Sequence, residues 1–254
     1  MMPIDLGIAR MLRNAPVVGS GVIAVTLACW VFFFAGAGTG MDVWRMSVPG
    51  LPPISGQTEM MASTASIGMT SMTFMWWTMM LAMMMPGALS HLPSHGTEHL
   101  PATENTIGFW SCYACVWLGF SIAAAAIQYQ LVDAGLLHGM NMWSTNTWFS
   151  AALLAIAGLY QFTGVKARSL TTCRKIPSGN SPFRSGLTYG LNCLASSLPL
   201  MLLLFAGGVM NVFWVALLTV VVTLEKALPN PKPFSIAVGA ASLGTSAVVL
   251  ITRH

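Results

Sequence analysis

His91, His95 and His99 stand at four-residue intervals, with Glu98 beside the last of them. They follow at once on an apolar, methionine-packed stretch, MTSMTFMWWTMMLAMMMPGALS, that begins at Met69. Ten of the chain's 19 methionines fall between Met60 and Met85. Thioethers are soft ligands suited to Cu(I), and imidazole suits Cu, Zn, Fe and Ni alike. The chemistry this junction offers is metal coordination. His91, His95 and His99 are its candidate ligands, Glu98 is a further donor, and Met79, Met80, Met83 and Met84 are auxiliary soft donors. Two bland readings stand beside this one. Methionine is a flexible packing residue, and a methionine stripe alone is more often core than ligand. Pro93 and Gly96 interrupt any continuous helix, so the three histidines would have to converge as a loop, and a solvated polar loop is the competing reading.

The five cysteines are Cys29, Cys112, Cys115, Cys173 and Cys193, an odd and low number that gives no secreted disulfide framework. Cys112 and Cys115 have dithiol spacing, but they lie among Trp110, Tyr113 and Trp117 with no basic residue in the span to activate a thiol. The expectation there is small buried cysteines at a helix contact rather than a thiol oxidoreductase. No nucleotide-binding loop, hydrolase elbow, zinc-protease helix or dinucleotide fingerprint occurs, and no catalytic residue is assigned.

Composition dictates what must position these groups. Mean hydropathy is +0.70, 55% of residues are hydrophobic and 7% are charged. Soluble domains carry roughly a quarter charged residues. Lipid is therefore the expected solvent, and runs of about 17–25 apolar residues are the expected spans. Such runs must be helical, because hydrocarbon offers the backbone no hydrogen bonds. The reading is all-α: a polytopic transmembrane bundle of about seven helices in one domain, residues 1–254. The helices are expected at 17–35, 66–89, 107–130, 147–164, 187–206, 210–226 and 234–252. Glycine and proline make 36–64 irregular, so this segment should lie on the membrane surface or fold back over the helices. Residues 165–186 read as a basic loop.

A cytoplasmic N-terminus puts Arg10, Arg13, Lys166, Arg168, Arg174, Lys175, Arg184, Lys226 and Lys232 inside, and leaves Arg45 and Arg253 outside. The net charge of +4 is thus a matter of topology and no argument for nucleic acid. Glu225 and Lys226 are expected to pair at the interface. Without an ionisable residue placed mid-membrane, ion-coupled transport is disfavoured.

The second half of the chain carries a resemblance. Tyr160-Gln161-Phe162-Thr163, Lys166, Cys173-Arg174, Gly190-Leu191-Asn192-Cys193-Leu194, Gly207-Gly208-Val209-Met210-Asn211, Trp214 and Glu225-Lys226 resemble a bacterial family described as predicted metal-binding integral membrane proteins, of unknown function. Met75-Trp76-Trp77 and Met83-Met84-Met85-Pro86 look like that family's tryptophan- and methionine-rich helix, so the similar region is about 66–228. The resemblance implies the bundle, a bacterial inner membrane and a metal. It also implies further cysteines where this chain has Ser169 and Ser196-Ser197; hydroxyls are poor substitutes for thiolates on a soft ion. Cys173 and Cys193 remain as further metal candidates. The expected function is binding or handing on a soft transition metal, copper foremost, without catalysis. The alternative is an accessory subunit packed in a larger membrane complex.

Overall fold

Long apolar runs, with glycine, proline and asparagine gathered at their ends, fold as helices because each backbone group finds its partner within the run. The computed structural model describes residues 16–36, 43, 44, 47, 68–89, 102–137, 144, 146–174 and 181–252. The helices are α1 (Pro16–Phe34), α2 (Met69–Leu89), α3 (Ala102–Asp133), α4 (Thr147–Gln161), α5 (Gly164–Arg174), α6 (Pro182–Leu202), the single turn α7 (Leu204–Gly207), α8 (Val212–Ala227) and α9 (Lys232–Thr252). Leu137 and Ser144 form an isolated antiparallel bridge. Among the described residues the fold is all-helical, as expected from composition.

Helix ends carry their caps. The Asn146 side chain accepts from the amides of Trp148 and Phe149 at 2.9 and 3.3 Å, starting α4. Asn211 serves two helices. Its side-chain oxygen accepts from the Phe213 amide at 3.1 Å, and its Nδ2 donates to the Gly207 carbonyl at 3.1 Å. The chain reverses there through Gly208, whose φ of 97° suits a residue without a side chain. The expected break between the helices at 187–206 and 210–226 therefore occurs, at the glycine pair and asparagine. Asn192 bonds back within its own helix, to the Thr188 carbonyl at 2.8 Å.

Small residues let the helices approach closely. At Gly186 of α6 a Cβ would stand 2.3 Å from the Phe109 carbonyl oxygen of α3. In α4 and α9, Gly158 and Gly239 face one another, each with the other's carbonyl oxygen 3.0 Å from where a Cβ would be. Ser246 of α9 bridges the same contact, donating to the Ala151 carbonyl at 2.8 Å. Helix α2 packs against α1, α3 and α8, and α5 packs on α6. The buried methionines Met72, Met75, Met79, Met80, Met83, Met84 and Met85 fill the middle of this arrangement.

Two described residues of the 36–64 segment lie against the helices. Trp44 stacks on Phe34, with ring centroids 5.7 Å apart, and the Ser47 hydroxyl accepts from the Val212 amide at 3.0 Å. Among the described residues three helices, Ile107–Asp133, Pro182–Gly207 and Lys232–Thr252, are long and apolar enough to cross a membrane. A fourth arises if α4 and α5, bent by 67°, count as one span.

Three expectations are corrected. The supposed basic loop begins as helix α5, which turns Lys166 and Cys173 inward. Ionisable residues do enter the core: Lys166, Glu225 and Lys226 are each 2% exposed. Cys112 is half-buried and Cys115 exposed, so the latter lies on the outside of α3 rather than in a tight helix contact.

Candidate metal site

The break between α4 and α5 builds the site. The last turn of α4 tightens as the Phe162 amide bonds the Leu159 carbonyl and the Thr163 amide the Tyr160 carbonyl. Thr163 Oγ1 then accepts from the Lys166 amide at 3.3 Å, and α5 sets off in its new direction. That direction carries α5 along α6. Cys173, in the last turn of α5, thereby comes up against α6, near Cys193, with its Sγ 3.9 Å from the Tyr189 carbonyl oxygen. Both are free, buried thiols.

Three other helices close around them. Met84 comes from the C-terminal part of α2, Tyr113 from α3 and Lys226 from the last turn of α8. Lys226 Nζ donates to Cys193 Sγ at 2.8 Å and stands 3.9 Å from Met84 Sδ. The Tyr113 hydroxyl lies 3.5 Å from Cys193 Sγ and donates to the Met84 carbonyl at 3.3 Å. Cys173 Sγ donates to the Tyr189 carbonyl at 3.9 Å. Tyr189 packs on Tyr113, with centroids 5.6 Å apart, and on Phe109 at 5.5 Å. An aromatic wall thus covers one side of the thiols and keeps water out.

Beside the sulfur cluster is a polar one. Lys166 Nζ and Glu225 Oε2 form an ion pair of 2.7 Å. Ser235 of α9 donates to the other carboxylate oxygen at 3.1 Å. Glu225 and Lys226 are consecutive, so α8 presents a carboxylate and an ammonium to the interior from its final turn. Glu225 finds a buried lysine of α5, and Lys226 reaches the sulfurs. The expected interfacial Glu225–Lys226 pair is replaced by this buried set, because the bend places Lys166 within reach.

Of the residues chosen from sequence, Met84, Cys173 and Cys193 come together. Met79, Met80 and Met83 are fully buried in the surrounding core, with Met80 one turn from Met84 on the same side of α2. His91, His95, His99 and Glu98 lie outside the described residues. Ser196 and Ser197 donate to the Cys193 carbonyl, each at 2.8 Å, and are occupied in the backbone of α6. Lys226 and Tyr113 were not singled out as site residues. Lys226 did leave a signal: α8 carries just two charges, adjacent, in an otherwise apolar helix, and a charge within such a helix is a functional flag.

Two thiols and a thioether form a soft donor set that favours Cu(I) over Mg, Ca or Mn. Among the described residues no three His, Cys, Asp or Glu side chains are grouped so as to hold a metal ion. No curated protein and no solved structure matches the chain. A family model does, over residues 73–249, a stretch that includes Met84, Cys173, Cys193 and Lys226. The chain belongs to the PpoB2 family of copper chaperones.

Proposed function

We propose that this protein is a membrane-embedded, non-enzymatic carrier of Cu(I), which it holds between Cys173, Cys193 and Met84 and passes to an acceptor. The observation that carries the reading is that Cys193 Sγ of α6 and Met84 Sδ of α2 lie 2.8 and 3.9 Å from one buried ammonium, with Cys173, a second free and buried thiol, on the neighbouring helix α5. A discontinuous helix supports it, since broken helices in membrane proteins commonly line a binding site. The outer surface supports the membrane setting. Val31, Leu159, Leu217, Val220 and Ile251 are all exposed, and lipid solvates such side chains where water does not.

The histidine segment fits this reading as a collecting site. It leaves α2 within a few residues of Met84, at the same end of that helix. His91, His95 and His99, with Glu98, would receive copper at the membrane surface and deliver it to the thioether and thiols. A cytoplasmic N-terminus and the bacterial inner membrane complete the proposal.

The test is metal analysis of purified protein. Wild type, Cys173→Ser, Cys193→Ser and a His91/His95/His99→Ala variant are loaded with Cu(I) under reductant and washed with a competing chelator. Wild type and the histidine variant should retain stoichiometric copper, and each cysteine variant should lose it. Retention by both cysteine variants would move the site elsewhere.

A further inference from the structure

The sulfur cluster already contains a cation. The Lys226 ammonium donates to Cys193 Sγ at 2.8 Å and stands 3.9 Å from Met84 Sδ, between two of the groups assigned to copper. Its seat is fitted. At Gly87 a Cβ would lie 2.9 Å from Lys226 Cδ and 3.5 Å from Nζ, so α2 leaves out a side chain where the lysine stem passes. The alkyl stem of a lysine is long enough to carry its head to either side of such a seat. A metal bonded to Cys193 and Met84 cannot share this space with the ammonium.

We propose that Lys226 is the resident counter-cation of the sulfur site and that Cu(I) loading is an exchange, in which the ammonium leaves Cys193 and turns to Glu225. This inference rests on the assignment of Cu(I) to Cys173, Cys193 and Met84. Glu225 is the neighbouring residue in the chain, and one of its oxygens accepts from the Ser235 hydroxyl at 3.1 Å. A neutral hydroxyl is the weaker partner for a carboxylate, and an ammonium displaces it readily. The other oxygen keeps Lys166 at 2.7 Å. Loading thereby reaches α9, because the Ser235 bond from its first turn is exchanged for Lys226. In the reverse direction the ammonium re-enters the site and displaces copper toward the acceptor. A carrier needs this property, since a site without a competitor would retain its cargo.

The tests are Lys226→Met and Lys226→Gln, each compared with wild type and Cys193→Ser in a competition titration against a chromophoric Cu(I) chelator. Removal of the competing cation should tighten Cu(I) binding about tenfold and slow its release, as expected when an occluded state ceases to hold most of the population. Copper lost from both lysine variants, or affinity unchanged in both, overturns the exchange. Wild type gives an answer that does not depend on how the variants fold. In a structure of Cu(I)-loaded protein the Lys226 ammonium should lie against the Glu225 carboxylate. An ammonium still bonded to Cys193 overturns the proposal. The underlying assignment fails separately: Cys193→Ser then binds Cu(I) as tightly as wild type, whatever the lysine variants do.

Discussion

Lys166 Nζ and Glu225 Oε2 meet at 2.7 Å although 59 positions separate them in the chain, and both side chains are almost wholly buried. The pair joins the bent segment α5 to the end of α8 and, through Ser235, to the start of α9. A buried ion pair contributes little net stability over an apolar pair of the same shape, but loss of one member leaves the other charge uncompensated. The pair therefore fixes the relative placement of the helices that carry Cys173 and Lys226.

Glu225→Gln should destabilise the protein by about 3–5 kcal/mol, as should Lys166→Met. Replacing both with apolar residues should recover much of the loss. Thermal unfolding in detergent, followed by circular dichroism, measures this, and strictly additive losses in the double variant would contradict a direct pair.

Close helix contacts make a second prediction. Gly186→Ala sets a methyl group 2.3 Å from the Phe109 carbonyl oxygen, a backbone atom that cannot turn aside. Overpacking of this kind costs about 1–3 kcal/mol. Gly119→Ala is the control, since nothing lies within 4 Å of its would-be Cβ. The melting temperature should fall in the first variant and hold in the second.

The helices were legible because hydropathy and punctuation agree: α1, α8 and α9 begin and end within two residues of the expected bounds. Helix α5 was not, because its sequence, GVKARSLTTCR, has the polarity of a loop. What makes it helical is tertiary: the threonine cap after the bend, burial of Cys173 against α6 and the partner that Lys166 finds in Glu225. The same bend hid the site. Cys173 and Cys193 look unrelated in sequence, with a basic stretch between them, and only reversal of the chain after α5 brings them together. Met84 was visible as one thioether among many. Lys226 read as an interfacial residue because adjacent opposite charges suggest a local pair, and nothing local reveals that Gly87 leaves room for its stem.

The histidine segment should affect how fast copper arrives rather than how firmly it is held. In the His91/His95/His99→Ala variant the rate of Cu(I) uptake from a weak donor complex should fall several-fold, with final stoichiometry unchanged. Stopped-flow loading followed by metal analysis separates the two quantities. An unchanged rate would remove the collecting role, and lost stoichiometry would make the imidazoles part of the holding site.

Met84→Leu keeps volume and apolarity and deletes the sulfur. Folding stability should change little, while Cu(I) affinity should fall by about tenfold or more, in keeping with loss of one soft donor from a set of three. Met72→Leu, on the same helix but three turns away, should leave affinity as it is.

X-ray absorption at the copper edge on Cu(I)-loaded wild-type protein tests the central claim most directly. A first shell made of sulfur scatterers, lost in Cys193→Ser, is the result the sulfur site predicts. A first shell of nitrogen and oxygen scatterers that survives in Cys193→Ser would contradict it.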